Sequence, residues 1–284
     1  MTSPLAIDVT VRAMGPGDIE AATELSRALN WPHREEDWAF FLELGEGLVA
    51  EHAGRVVGTI MAWRYGVDAA TLGMVIVADD LQGRGLGRRL MQAMIDRLDG
   101  RTIVLHATPA GQPLYEKLGF VAIGRVHQHQ GVAPMAPLAE LLPDERVRPM
   151  GAQDDAPPAL YSRASGMDRA DLVEAMAQVD KGVVLTRDHL PVGFAMLRRF
   201  GRGWSIAPVV APDSGGAKVL VLHWLGQNKG SFTRIDVTEA GGLSPWLEGL
   251  GLPRVDTVVQ MARGAVTPPA DGISVYALSA QALG

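Results

Sequence analysis

The chain has 284 residues, of which 47% are hydrophobic and 20% charged, and its formal net charge is -6 at pH 7. This composition is typical of a soluble protein with two domains of average size, and an acidic chain without a run of basic residues is not expected to bind nucleic acid. The absence of cysteine excludes disulfides, thiolate metal ligands and a cysteine nucleophile. No secretory signal or long apolar stretch is recognisable, so we expect a cytoplasmic protein without a membrane partner.

The first half of the chain begins with a predicted strand at residues 7–14. Two helices follow, one starting at Asp18 and one within "HREEDWAFFLEL", because both segments have apolar residues at helical spacing. The segment "GLVAEHAGRVVGTIMAWRY" predicts a hairpin that turns at Ala53 and Gly54.

The next elements surround a glycine-rich loop. The strand "TLGMVIVADD" leads into "QGRGLG", and the helix after it carries one apolar face, formed by Leu86, Leu90, Met94 and Leu98. The strand "TIVLHA", the short helix "GQPLYEKLG" and the strand "FVAIGRVHQHQ" complete the order β-α-α-β-β-β-α-β-α-β.

The sequence contains an internal repeat. "VRAMGPGD" at 11–18 returns as "VRPMGAQD" at 147–154, "GLVAEHAGRVVGTIMAWRYG" returns as "GVVLTRDHLPVGFAMLRRFG", and "PLYEKLGF" aligns with "PWLEGLGL". Matches that keep their order at a nearly constant offset indicate two divergent copies of one domain. The proline-rich segment 131–146 predicts the join, which gives domains at 1–142 and 143–284.

The loop "QGRGLG" has the composition of a phosphate-binding loop, because glycines at a helix start let backbone N–H groups approach an anion. A Walker A loop requires Gly-Lys-Ser/Thr, whereas Gly87 is followed by Arg88. A dinucleotide fingerprint would follow the first strand of its unit directly, and this loop does not. A glycine-rich turn without a ligand is the remaining alternative.

The segment "VADDLQGRGLGRRLM", followed by "PLYEKLGF", resembles the GCN5-related N-acetyltransferase (GNAT) superfamily. Its loop motif, Gln/Arg-x-x-Gly-x-Gly/Ala, is matched by Gln82, Gly85 and Gly87, and the resemblance covers residues 7–130. It implies an α/β (α+β) fold class with two tandem GNAT folds, each a central mixed, mostly antiparallel sheet flanked by helices. It also implies acetyl-CoA as the acyl donor.

The resemblance assigns the cofactor-binding residues to one strand and its loop. The strand backbone would hydrogen-bond the pantetheine arm, and the loop amides would hold the pyrophosphate at the positive end of the following helix. The implied residues are Val75, Ile76, Val77, Gln82, Gly83, Arg84, Gly85, Leu86, Gly87 and Arg88.

Acetyl transfer to an amine requires a neutral nitrogen, a polarised thioester carbonyl and a proton for the departing thiolate. Tyr115 matches the tyrosine that donates this proton in many family members; packing in the core is the alternative role. His106 lies near the end of a strand where several members place a proton acceptor. A structural, hydrogen-bonded histidine is the other interpretation.

Three residues are candidates for contacting the acceptor substrate. Trp31 lines the acceptor pocket or fixes a turn between helices, and Asp68 borders the acceptor cleft in the family or is a solvated surface residue. Asp236 occupies the repeat position of His106, which suggests an acceptor contact or an ordinary ion pair. We expect no metal, because the histidine pair in "VHQHQ" lacks a third ligand.

The second copy lacks the cofactor motif. It has "VAPDSGGAKVL" in place of "VADDLQGRGLGRRL", and Leu247 in place of Tyr115, and it resembles the degenerate C-terminal domain of bacterial tandem GNAT proteins. The sequence thus predicts a bacterial acetyltransferase, a monomer or homodimer, with one acetyl-CoA site in its first copy and a primary amine of a small molecule as acceptor. A protein lysine or N-terminal acetyltransferase and a non-catalytic acyl-CoA sensor are the alternatives.

Overall fold

The computed structural model describes residues 8–151 and 154–284. The predicted first strand starts at Ile7 and the repeated segment includes positions 152 and 153, which lie outside the described residues. The helices are α1 (Ile19–Ala28), α2 (Glu35–Leu44), α3 (Leu86–Arg97), α4 (Gln112–Lys117), α5 (Ala156–Ser165), α6 (Ala170–Val179), α7 (Ser214–Gln227) and α8 (Ser244–Gly249). Within these described ranges, no helix is both long and apolar enough to cross a lipid bilayer.

The strands follow the predicted order in the first copy, and the second copy repeats that order and adds one strand at its end. They are β1 (Thr10–Ala13), β2 (Glu46–His52), β3 (Arg55–Tyr65), β4 (Ala69–Val77), β5 (Thr102–Ala107), β6 (Val121–Val132), β7 (Glu145–Pro149), β8 (Lys181–Arg187), β9 (Leu190–Phe200), β10 (Gly203–Ala211), β11 (Phe232–Thr238), β12 (Arg254–Arg263) and β13 (Ser274–Ala277). The additional strand is β13, which the repeat does not predict.

The same ion pair occurs at the start of each copy. Arg12 binds Asp18 through two hydrogen bonds of 2.8 Å, and Arg148 binds Asp154 through bonds of 2.7 and 2.8 Å. In both copies the carboxylate also accepts a main-chain N–H three residues earlier in the chain. The sequence repeat therefore corresponds to a repeated structure.

The chain divides into two compact units, Met1–Ile103 and Val104–Gly284. In the first unit, β1, β2, β3 and β4 form an antiparallel sheet in that order, and α3 packs on it. The predicted apolar face of α3 is confirmed, because its four members are all buried: Leu86, Leu90, Met94 and Leu98. The predicted hairpin turn is also confirmed, with φ of 49° at Ala53 and 75° at Gly54.

In the second unit the strand order is β12-β6-β11-β13-β10-β9-β8-β7. β6, from the first copy, is antiparallel to β11 on one side and to β12 on the other, with Gln128 opposite Asp236 and Val126 opposite Val258. This pairing explains why the compact units divide the chain before residue 142. The boundary predicted between residues 142 and 143 separates the two copies of the sequence repeat and not the two compact units, and it stays a prediction.

Candidate active site

β4 is interrupted by a bulge immediately before the predicted cofactor-binding residues. Thr59 of β3 faces Ile76, but Met61 faces Gly73, so β4 contains one extra residue. Met74 has a φ of 53°, which is uncommon for a residue with a side chain, and its carbonyl accepts a 2.8 Å hydrogen bond from the Thr59 hydroxyl. Bulges redirect a strand and interrupt its pairing, so β4 changes course where the segment 75–77 begins.

The loop after β4 is braced against the end of that strand. The Gln82 side-chain amide donates to the Val77 carbonyl at 3.1 Å and to the Asp79 carboxylate at 2.8 Å. Gly83 and Gly85 have φ values of 72° and 83°, a left-handed backbone that favours glycine. A Cβ at either glycine would meet no atom within 4 Å, so the surface above the loop is open.

The N-terminus of α3 presents unpaired N–H groups to this open surface. The first bond of the helix joins the Arg89 N–H to the Gly85 carbonyl at 3.0 Å. Among the described residues, no acceptor pairs with the amides of Gly85, Leu86, Gly87 or Arg88. Four free donors at the positive end of a helix make an anion-binding site.

Two arginines add positive charge beside these amides. Arg84 and Arg88 are exposed, and neither pairs with a carboxylate in the described part of the chain. Arg89 differs, because its guanidinium donates to the Val9 carbonyl at 2.7 Å. Free amides and two available cations fit the pyrophosphate of acetyl-CoA.

Trp31 and Asp68 also lie in the first unit. Trp31 is half-buried after α1, where its main-chain N–H donates to the Ser26 carbonyl at 2.9 Å and its ring meets His33 edge-on at 6.0 Å. Asp68 is exposed in the turn before β4, at the opposite end of that nine-residue strand from the loop. At about 3.3 Å per residue the strand spans roughly 30 Å. The structure does not bring Asp68 near the loop, and both substrate-binding roles stay predictions.

Tyr115, in the second unit, lies in α4 with 8% of its surface exposed. Its ring packs edge-on against Phe120 at 6.2 Å, and a Cβ at Gly111 would lie 2.9 Å from the tyrosine ring. The hydroxyl has no hydrogen-bond partner among the described residues. Burial raises the pKa of Tyr115 to about 12, so the hydroxyl carries its proton at neutral pH.

His106 has a fixed orientation on β5. Its Nδ1 lies 2.7 Å from the Gln281 carbonyl oxygen; because a carbonyl only accepts, Nδ1 carries the proton and Nε2 carries the lone pair. The residue as a whole is half-buried, and its Nε2 is buried and has no partner in the described residues. Desolvation lowers the pKa of His106 to about 4, although the Gln281 bond and the Asp236 charge act in the opposite direction.

Asp236 is buried on β11 and is bound by Arg234, with its carboxylate 2.7 Å from Nη2 and 3.0 Å from Nε. Its charge acts on the pKa of His106, so the structure brings these two repeat-equivalent residues within electrostatic range of each other. The Asp236 carboxylate, predicted to contact the acceptor, is thus already paired with Arg234. That contact stays a prediction.

In the second copy, a carboxylate from the chain itself occupies the corresponding helix start. Asp213 caps α7 by accepting the Gly216 N–H at 2.8 Å, and it pairs with Arg187 at 2.8 Å. The Arg187 hydrogen bond holds the pKa of Asp213 below its ordinary value, with burial opposing. The anion position of this copy is therefore already filled.

The second copy also fills the gap between the strands that correspond to β4 and β5. β10 and β11 pair in parallel only at Trp204 and Ser205. Beyond that point β13 lies between them, with Ala277 opposite both Val209 and Val237. The resemblance to GNAT proteins implies that the pantetheine arm binds beside β4; in the second copy, β13 lies beside β10, the strand that corresponds to β4.

Sequence reasoning missed Asp213, β13 and Gln281. "APDSGG" does contain a signal, since Asp before Ser and Gly is a typical helix N-cap. β13 and Gln281 depend on contacts between residues far apart in the chain, for which no local pattern exists.

Comparison with known families agrees with this architecture. A sequence profile described as an acetyltransferase (GNAT) domain matches residues 34–136, and a second profile with the same description matches residues 159–277. One match falls in each copy of the repeat. The chain belongs to the GNAT acetyltransferases, contains two tandem GNAT domains and is an acyltransferase.

Individual relatives span both copies. YitH of Bacillus subtilis strain 168, an uncharacterized N-acetyltransferase, is 28% identical over 262 residues, which cover 89% of this chain and 91% of YitH. A Pyrococcus horikoshii protein provisionally assigned as an acetyltransferase matches with a TM-score of 0.80 at 22% identity, covering 97% of this chain and 96% of its own. A tandem GNAT protein from the clavulanic acid biosynthesis pathway matches with a TM-score of 0.62 at 14% identity, covering 93% and 100%. These two solved structures establish similarity of fold.

Proposed function

We propose that the chain is an acetyl-CoA-dependent N-acetyltransferase that transfers acetyl directly to a primary amine of a small molecule, with its single acetyl-CoA site in the first copy. The contrast between the two helix starts carries the proposal. The amides at the start of α3 have no partner among the residues that the structure describes, whereas the start of α7 is capped by Asp213. β13 further closes the cofactor gap of the second copy.

The proposed cofactor site consists of the segment 75–77 and the loop 82–88. When bound, acetyl-CoA supplies the acetyl group as a thioester. The amides of Gly85 to Arg88 would hold the pyrophosphate, and Arg84 and Arg88 would neutralise its charge. The backbone of β4 beyond the bulge would hydrogen-bond the pantetheine arm.

Tyr115 is proposed to act on the sulfur that departs. Its hydroxyl keeps a proton at neutral pH, as a donor must. An ordinary thiol has a pKa of about 8.5, so complete proton transfer from a hydroxyl with a pKa of about 12 is uphill. We therefore expect a hydrogen bond from Tyr115 Oη to the sulfur first, with the proton following as negative charge accumulates. The proton that the attacking nitrogen loses returns to the Tyr115 oxygen, so that amine and thioester give amide and thiol.

His106 is proposed to receive the acceptor amine. A histidine with a pKa of about 4 does not retain a proton at neutral pH, so it cannot store one from an alkyl ammonium group, whose pKa is about 10.4. Its Nε2 lone pair can accept a hydrogen bond from a neutral amine and direct the nitrogen for attack. Because Nε2 is covered, the amine must displace neighbouring atoms to reach it.

Calorimetric titration of the full chain with acetyl-CoA tests the proposal. We expect one site per chain; two sites would contradict the closed second copy, and none would contradict the proposal. With acetyl-CoA saturating, a panel of small amines is then compared with peptides that carry lysine or a free N-terminus. Turnover of the peptides alone would indicate a protein acetyltransferase, and binding without any turnover would indicate a sensor. The cytoplasmic location and the monomeric or homodimeric state stay predictions.

A further inference from the structure

The chain after β13 folds into a single helical turn, Ser279–Gly284. The N–H groups of Leu283 and Gly284 both donate to the Ala280 carbonyl, at 3.1 and 2.9 Å, which requires a helical backbone at the residues between. Just before the turn, the Leu278 N–H donates to the Asp236 carbonyl at 3.0 Å. The turn is thereby joined to β11.

Buried contacts fix this turn on both sides. The Tyr161 hydroxyl lies 2.9 Å from the Ser279 hydroxyl and donates to the Gly284 main-chain oxygen at 2.7 Å. The Arg169 guanidinium donates to the Leu283 carbonyl at 2.6 Å and lies over the Tyr161 ring at 5.1 Å. Tyr161 and Arg169 are both buried, and a satisfied buried network of this kind is rigid.

Gln281 is the half-buried residue of this turn, and both of its polar groups contact the first copy. Its carbonyl oxygen accepts the Nδ1 proton of His106, on β5, at 2.7 Å. Its side-chain amide donates to Gln128, on β6, at 3.3 Å. A segment of the second copy thus orients a candidate catalytic side chain of the first.

His129 shows what a structural histidine looks like in the same unit. It is fully buried, and both ring nitrogens are satisfied, Nδ1 by the Leu252 carbonyl and Nε2 by the Ser244 hydroxyl, each at 2.9 Å. His106 has one nitrogen satisfied, and the other is buried without a partner in the part of the chain that the structure describes. An unsatisfied buried acceptor destabilises the fold, so its presence points to a role in function.

We infer that the turn Ser279–Gly284 holds His106 in the neutral form protonated at Nδ1, and that Gln281 is a positioning residue for acetyl transfer. The inference rests on the proposed function for its catalytic part. Gln281 does not touch the reacting atoms; its carbonyl determines which ring nitrogen presents a lone pair. The second copy thereby contributes to the reaction without binding a cofactor.

The test uses the full chain labelled with ¹⁵N-histidine, in which nuclear magnetic resonance distinguishes the two neutral forms of each ring. The His106 signal is assigned by its loss in His106→Gln. We expect protonation at Nδ1 and no titration between about pH 6 and pH 8, because the pKa of His106 is about 4. Protonation at Nε2 in the unaltered chain would overturn the inference whether or not activity is found.

A proline at position 282 tests the coupling to catalysis. Proline disfavours a helical conformation at the residue before it, so Ala282→Pro rotates the Gln281 carbonyl away from His106. Ala282→Gly is the control at the same position, since it also changes the side chain of residue 282 but does not restrict the backbone of Gln281. We expect the Nδ1-protonated signal to be lost and kcat to fall about 10-fold or more in the proline variant, with KM for acetyl-CoA within about two-fold. The glycine variant should match the unaltered chain in the His106 signal, in kcat and in KM for acetyl-CoA.

The outcomes separate this inference from the proposed function. A changed His106 signal with unchanged kcat would contradict a positioning role for Gln281. Failure to bind acetyl-CoA, with His106 still protonated at Nδ1, would contradict the proposed function and leave the geometry of the turn intact. If Ala282→Pro does not fold, the signal of the unaltered chain and its pH independence still decide the inference.

Discussion

The two copies share a frame and differ at the positions that would touch a cofactor. Each begins with the same Arg–Asp ion pair, and each has a hairpin whose two turn residues are left-handed, Ala53–Gly54 in one and Asp188–His189 in the other. At the helix start, the first copy presents free amides and the second presents the carboxylate of Asp213. Elements that maintain the fold are retained, whereas the positions proposed to contact the cofactor have diverged.

In the second copy, the positions that correspond to the proposed cofactor site are filled by other parts of the chain. Asp213 supplies a negative charge at the helix start that corresponds to the proposed phosphate site, and β13 lies where the proposed site would have the pantetheine arm. A degenerate domain with an empty cleft would leave backbone groups of two separated strands without a protein partner, which is unfavourable wherever those groups are buried away from water. Filling the cleft from within the chain satisfies those groups and leaves the second copy free for a structural role beside His106.

The largest expected effect comes from closing the loop of the first copy. Gly85→Asp would place a carboxylate among the free amides, as Asp213 does in the second copy, so we expect the Kd for acetyl-CoA to rise by about 100-fold or more. Gly100→Asp is the matched control: Gly100 has a φ of 77°, and a Cβ there also meets nothing within 4 Å. Calorimetry compares the variants, and equal binding by both would contradict the loop assignment.

Tyr115→Phe removes from the first copy a hydroxyl that the second copy does not have, because Leu247 occupies the position equivalent to Tyr115. We expect kcat to fall about 10- to 100-fold with little change in KM for acetyl-CoA, since only the departing sulfur loses its donor. In the unaltered chain the rate should show no titration attributable to Tyr115 below about pH 9, because the pKa of Tyr115 is about 12. Unchanged kcat in steady-state assays would show that Tyr115 serves only packing.

Local patterns in the sequence predicted much of this architecture. Helical spacing identified the buried face of α3, and the Ala53–Gly54 pair identified the first hairpin, because both features depend on residues a few positions apart. The glycine motif identified the loop with free amides for the same reason. The internal repeat then predicted the same order of helices and strands for the second copy.

The remaining features depend on long-range pairing. β6 lies between two strands of the second copy, and Gln281 meets a histidine 175 positions earlier in the chain. An alternating strand pattern specifies which face is buried but not which strand lies alongside. The pKa of His106 was unpredictable for the same reason, because it reflects burial and charges contributed by distant segments.

Asp213→Ala tests whether the carboxylate alone closes the second copy. The variant loses the cap of α7 and the ion pair with Arg187, so we expect the free energy of unfolding to fall by about 1–2 kcal/mol. Binding should remain at one acetyl-CoA per chain, because β13 still fills the strand gap. Denaturant unfolding and calorimetry measure the two quantities. A second acetyl-CoA bound by this variant would show that the charge of Asp213, and not β13, excludes the cofactor.

The smallest expected effect concerns the shared ion pair. Asp18→Asn and Asp154→Asn should each lower stability by about 0.5–1 kcal/mol, since the arginine partners are partly exposed and solvent screens the attraction. Asp271→Asn, at an exposed aspartate, is the control.

In the folded state the arginine hydrogen bond holds the pKa of each carboxyl below its ordinary value. The stabilisation is therefore present above the unfolded pKa of about 3.9 and is lost as the pH falls through the folded pKa. Hydrogen exchange resolved along the chain reports each copy separately, and equal effects that disappear together in acid are expected. An effect confined to one copy would show that the repeated ion pair stabilises only one of the two folds.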